Sequence, residues 1–136
     1  MLLIVTGLYT PDKPSNLRIL SATSQSVDLE WTAPESDGGH SISSYVVIYG
    51  APGAHTSLCH RQTVKSTATC CTLTKNIFPT RTYEFAVAAR NKAGLGEFSE
   101  FSSSIIIIGD PGTSILRWLY ILCMKLLIVS HAHTVV

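Results

Sequence analysis

From Pro14 to about Ile108 the apolar residues tend to fall on every second position, and this period of two constrains the chain more than any other feature. Val27, Leu29 and Trp31 alternate with Ser26, Asp28 and Glu30. Tyr45, Val47 and Tyr49 repeat the scheme, and Tyr83, Phe85, Val87 and Ala89 do so again, with Glu84 and Arg90 pointing outward. Each run predicts a strand with one buried and one wet face. A slip of one residue would put Trp31 and Phe85 in water and Asp28 and Glu84 inside, so register is well specified. Turn signals separate the runs: Pro34 with Asp37-Gly38-Gly39, then Gly50 to Gly53, Asn76 to Pro79, and Ala93 to Gly96. No stretch here keeps a helical spacing. The pattern predicts an all-β fold, an antiparallel β-sandwich.

Composition removes several function classes. With 46% apolar and 14% charged residues the chain is not a solvated, disordered one. Its formal charge of +1 gives no basic excess for nucleic acid to meet. No G-x-S-x-G elbow is present, and Gly94-Leu95-Gly96 lacks a third glycine and a following helix. Glu97 and Glu100, three apart on a strand, would face opposite ways, unlike a catalytic carboxylate pair. No catalytic residue and no cofactor site is expected.

Four segments agree, in order, with one known pattern. "PDKPSNLRI" is similar to a proline-rich lead into a first strand, and "VDLEWTAPESDGG" to a second strand and its loop, with Trp31 in the core-tryptophan position. "ISSYVVIYG" and "IFPTRTYEFAVAARNKAGLGEFSE" complete the set. Over roughly 95 residues the chain thus resembles a fibronectin type III domain. The resemblance implies seven strands in two sheets, an immunoglobulin-like sandwich, with Tyr83 as the corner tyrosine bonding backbone upstream. Ile77 stands where a leucine is usual, Thr80 where a glycine is common and Arg81 where a threonine is. An odd number of up-and-down strands puts the two termini at opposite poles. Val27, Leu29, Trp31, Tyr45, Val47, Leu73, Tyr83, Phe85 and Val87 form the expected core. At roughly 1.5–3 kcal/mol per large buried side chain, they suffice without disulfides. The expected division is a stub or linker at 1–10, the domain at 11–108 and an apolar tail at 109–136.

Cys59, Cys70, Cys71 and Cys123 match no zinc or redox spacing. Cys71 shares parity with Leu73 and is expected inside, Cys70 outside. Free thiols are the simpler reading, a Cys59–Cys70 bridge the alternative, and that bridge needs an oxidising compartment. His131-Ala132-His133 and Cys59-His60 each lack a third ligand, so no metal site is expected. Residues 115–129 are apolar but short for a span. Their Leu, Ile and Val contribute roughly −3 to −5 kcal/mol, against about +5 to +7 for Arg117 and Lys125 placed centrally. Membrane contact through 115–136 therefore stands as an alternative, beside a peripheral helix or an artefact of the gene model. Phe98-Ser99-Glu100-Phe101-Ser102 is similar to a degenerate Trp-Ser-x-Trp-Ser box, in which Arg90 would stack on Phe98 or Phe101. Ile105 to Ile108 read as an edge strand with half its isoleucines outward.

The leading expectation is a non-catalytic interaction and spacer module from a larger adhesion, receptor or scaffold protein. Its partners would be other domains, tandem fibronectin type III or immunoglobulin-like modules. Contacts would use one pole, Ser36 to Ser41 with Asn91 to Gly96, and there Asp37, Gly38, Gly39, His40, Asn91, Lys92 and Leu95. The alternative is that these loops only turn the chain and meet a neighbouring domain. A membrane-anchored receptor fragment and an intracellular sarcomeric-type module stay open, and so does the compartment.

Overall fold

The computed structural model describes residues 7–65, 68–109 and 122–126. Among them the strands are β1 (Ser15–Ala22), β2 (Val27–Thr32), β3 (Ser44–Gly50), β4 (His60–Lys65), β5 (Cys70–Leu73), β6 (Thr82–Asn91), β7 (Gly94–Leu95) and β8 (Ile105–Ile106). They form two antiparallel sheets, one ordered β1-β2-β5 and the other β4-β3-β6-β7, with β8 also paired to β6. The alternation written in β2 is realised directly. Val27 and Leu29 are fully buried and Trp31 nearly so, while Asp28 and Glu30 between them are half-buried.

The core lies between the sheets. Val27, Leu29, Trp31 and Leu73 come from one side, and Tyr45, Val47, Tyr49, Tyr83, Phe85, Val87 and Ala89 from the other, with Ile77 and Ile107 closing an end. Pairing Val47 with Val87 and Tyr49 with Phe85 sets the aromatic contacts. Trp31 meets Tyr45 edge-on at 5.2 Å, and Phe85 stacks between Tyr49 at 6.2 Å and Tyr83 at 6.5 Å. The Tyr49 hydroxyl donates to the Lys75 carbonyl at 2.7 Å. Burial pushes the Tyr45 and Tyr49 phenols above their ordinary range. Among the described residues the buried Trp31 indole nitrogen has no partner in hydrogen-bonding geometry; Tyr45 is its aromatic neighbour.

The outer face of the larger sheet departs from simple alternation. Val46, Ile48 and Ala86 are buried there under Cys59, Leu95 and Phe98. The cation over Phe98 is Arg61, 5.9 Å from the ring centroid, and not Arg90. Strand register explains the correction. Arg61 sits opposite Ile48, beneath Phe98, whereas Arg90 sits opposite Ser44 at the far end of the sheet.

The expected last strand is present along β6 but interrupted. Between β7 and β8 the chain is held by two serines. Ser99 N donates to Val87 O at 2.8 Å while its hydroxyl accepts from Val87 N at 3.1 Å. Ser102 treats Phe85 in the same way, at 2.8 and 3.1 Å. Beyond them Ile107 is fully buried and Ile105 packs against the core, whereas Ile106 and Ile108 are 64% and 76% exposed. Half of the isoleucine run does face outward.

At the corner before β6, the Tyr83 hydroxyl donates to Asn76 O and accepts from Phe78 N, both at 3.0 Å. Ile77 fills the corner at 6% exposure. Thr80 occupies the left-handed region at φ 65°, tied through its N–H to Ile107 O at 2.7 Å. That conformation crowds a Cβ, and a β-branched one most. Thr80→Gly is expected to raise stability by about 1 kcal/mol, relief of the crowding outweighing the extra freedom glycine gives the unfolded chain. Urea denaturation checks it, and an unchanged or lower midpoint contradicts it.

Cys59, Cys70, Cys71 and Cys123 are free thiols, so no Cys59–Cys70 bridge forms; Cys59 lies against the outer face of the larger sheet and Cys70 in β5 of the smaller. Burial, then the neighbouring Cys70, pushes the Cys71 thiol up to about 11, and burial also raises Cys59, so both stay protonated at neutral pH. Of residues 115–136 only 122–126 are described, a single exposed helical segment. The membrane-anchor alternative, Arg117 and the His131–His133 pair otherwise lie outside the described residues. Among these, no helix is long and apolar enough to cross a membrane, and no group of three metal-ligating side chains gathers.

Candidate interaction pole

β3 and β6 run antiparallel with Ser44 opposite Arg90, so the loop before β3 and the loop after β6 meet at one end of the sandwich. The first loop is shaped by its own polar side chains. Gly39 N donates to Asp37 Oδ1 at 2.9 Å and Gly38 N to the Ser36 hydroxyl at 3.2 Å, with Gly38 and Gly39 at φ 77° and 93°. The second loop turns on Asn91, whose Oδ1 accepts from Ala93 N at 2.8 Å. Ser43 joins the two by donating from both its N–H and its hydroxyl to Arg90 O, at 2.8 and 3.2 Å.

The structure brings the seven expected contact residues to this pole but gives them different surroundings. Asp37, Gly39 and Lys92 are exposed, and Gly38 and His40 half-buried. Leu95 packs over Val46, Ile48 and Ala86. Asn91 is only 4% exposed, with its carboxamide spent on the frame of the pole. It continues the inward parity of Tyr83, Phe85, Val87 and Ala89, a signal already present in the sequence.

A third component spans the expected boundary between the stub or linker at 1–10 and the domain: residues 7–13 lie across both loops. Tyr9 N donates to Gly38 O at 3.2 Å and Asp12 N to Ser36 O at 3.0 Å, and Pro11 is buried. The exposed face of the pole is thus made by Leu8, Tyr9, Asp37, Gly39 and Lys92, with Tyr9 63% and Leu8 49% exposed. A shallow polar groove runs alongside, lined by Asp12, Lys13, Glu35 and Glu97. The Lys13–Glu100 pair at 3.1 Å is exposed on both sides and contributes little. An apolar tip, a backbone frame and scattered charges of both signs are what this pole presents to solvent. They assemble no nucleophile with a base.

The comparisons agree with this architecture. Residues 12–105 match the fibronectin type III domain. The titin homolog of Caenorhabditis elegans is 30% identical over 91 residues, covering 67% of this chain and, to the nearest per cent, 0% of that protein. A putative receptor-type tyrosine-protein phosphatase, mosPTP-1 of Aedes aegypti, is 29% identical over 117 residues, 85% of this chain and 9% of its own length. A crystal structure of domains from titin superposes with a TM-score of 0.65 at 35% identity, over 73% of this chain and 32% of that one. The chain spans less than a tenth of the length of the curated relatives it matches. The chain belongs to the fibronectin type III domain family.

Proposed function

We propose that the chain supplies a non-catalytic spacer and protein-interaction module to a larger protein, meeting neighbouring fibronectin type III or immunoglobulin-like domains end to end. One observation carries the reading. The chain comes in beside Gly38, at the Asn91 end of β6, and leaves at Gly109 beside Pro79, at the Thr82 end. β6 has ten residues, so the two attachment points stand about 30 Å apart on opposite ends. A domain threaded this way extends a line and does not fold back on its neighbour. Relatives of both titin-like and receptor-phosphatase name support an array setting.

The core residues all lie between Leu17 and Ile107, so residues 7–109 carry a complete fold. Two copies of that segment, joined head to tail, are expected to scatter X-rays as a rod, its maximum dimension close to twice that of one copy. A compact pair with the copies side by side contradicts the reading.

A further inference from the structure

The segment laid over the pole has little apolar grip. Leu8, Tyr9 and Thr10 are exposed, and only Pro11 and Pro14 are buried. Polar bonds hold it, and they converge on one side chain. Asn91 Nδ2 donates one hydrogen to Tyr9 O and the other to Asp37 O, each at 2.7 Å, while Oδ1 takes Ala93 N at 2.8 Å. Two donors and an acceptor at one centre are what a primary amide offers. Aspartate keeps the acceptor and turns its other oxygen against two carbonyls.

The fit also requires missing side chains. A Cβ on Gly38 would lie 2.1 Å from Tyr9 O, and one on Gly96 2.2 Å from Pro11 O. Both loops therefore approach the segment at backbone distance, one from each side.

We propose that Asn91 is a lock: it fastens the incoming chain to both pole loops at once, so that a domain preceding this one is held at a set orientation and does not swing on a free linker. The inference rests on the module reading above and adds where the stiffness of the joint comes from. The exposed Tyr9 and Leu8 side chains then face the neighbour from a backbone that is already ordered, which removes part of the entropy cost of contact.

The full chain tests the lock by amide hydrogen exchange. In the native protein the Tyr9 and Asp12 amides are expected to be protected. In Asn91→Asp both should exchange about tenfold faster, since the bonds that fasten the segment to the pole are lost together. Ala93, bonded to the retained oxygen, and Val87 in the core should keep their rates. Gly96→Ala leaves the carboxamide intact and should release Asp12 in the same way, so a poorly folding Asn91 variant does not remove the test. Unchanged Tyr9 and Asp12 rates in both variants overturn the lock, and so does acceleration that Val87 shares, which would make Asn91 a plain core residue. In the head-to-tail pair, Asn91→Asp in the second copy should widen the distribution of distances between spin labels on the two copies. An unaltered width overturns the orienting role. Exchange in a single chain and the rod shape of the pair can fail separately, so loss of the lock and loss of the module reading are distinguishable.

Discussion

Phe85→Ala is expected to remove about 3–5 kcal/mol of stability, the range for deleting a fully buried aromatic ring. Phe85 is 0% exposed, stacks between Tyr49 and Tyr83, and lies on the central strand of the larger sheet. Its neighbours cannot close the gap easily. Tyr49 is tethered by its bond to Lys75 O and Tyr83 by its bonds at the corner, so both rings are held away from the space that opens. A domain with an ordinary stability of about 5–15 kcal/mol would keep only a fraction of it. Urea denaturation followed by Trp31 fluorescence measures the loss. A change below about 1.5 kcal/mol would show that the two tyrosines collapse into the site after all.

Tyr83→Phe keeps the ring and removes a single oxygen, yet about 2 kcal/mol is expected to go. The hydroxyl serves two backbone groups, the Asn76 carbonyl and the Phe78 N–H, and both are left without that partner in a part-buried corner. Asn76 is also held at φ 56°, so the corner has a strained backbone that the tyrosine stabilises. Unfolding kinetics give the check. Two losses of this kind should not simply add, because Tyr83 and Phe85 touch. The double variant should cost less than the sum of the single ones. A loss under about 0.5 kcal/mol for Tyr83→Phe alone would mean that water replaces the hydroxyl without penalty.

Much of this fold is legible from parity. In β2, in β3 and in β6 from Tyr83 to Ala89 every second residue is apolar, and those residues are the ones between the sheets. What parity misses has a common cause. Val46, Ile48, Ala86 and Ala88 fill the alternate positions, so β3 and the middle of β6 are continuous apolar runs, the mark of strands covered on both faces. Tyr45, Val47 and Tyr49 alone suggest a single buried face, whereas Val46 and Ile48 between them mark a second. The partner of Phe98 was misplaced because sequence gives the order of strands but not their neighbours. β4 lies next to β3, and this brings Arg61 under the ring.

The pole was legible in outline and not in depth. Its two loops are marked by Asp37-Gly38-Gly39 and by the turn after Asn91, and they do meet. Asn91 opens the loop expected to make contacts, yet it is buried at the end of β6. Counting from Tyr83 in steps of two would have placed it inward. The part played by Tyr9 and Pro11 has no periodic signal, since a segment held by its own backbone atoms leaves no pattern in its side chains.

The serine clasps on β6 bear on how many such domains coexist in one long polypeptide. Sequence-similar modules strung together stand at high local concentration, where a regular outermost strand would invite pairing with its counterpart next door. Here the rim along β6 offers no such template. The Phe85 and Val87 amides are already taken by hydroxyls, and the segment that covers them follows no strand geometry between Leu95 and Ile105. A rim built this way discourages crosstalk in an array, and the exposed Glu97 and Glu100 on the same segment add charge to it.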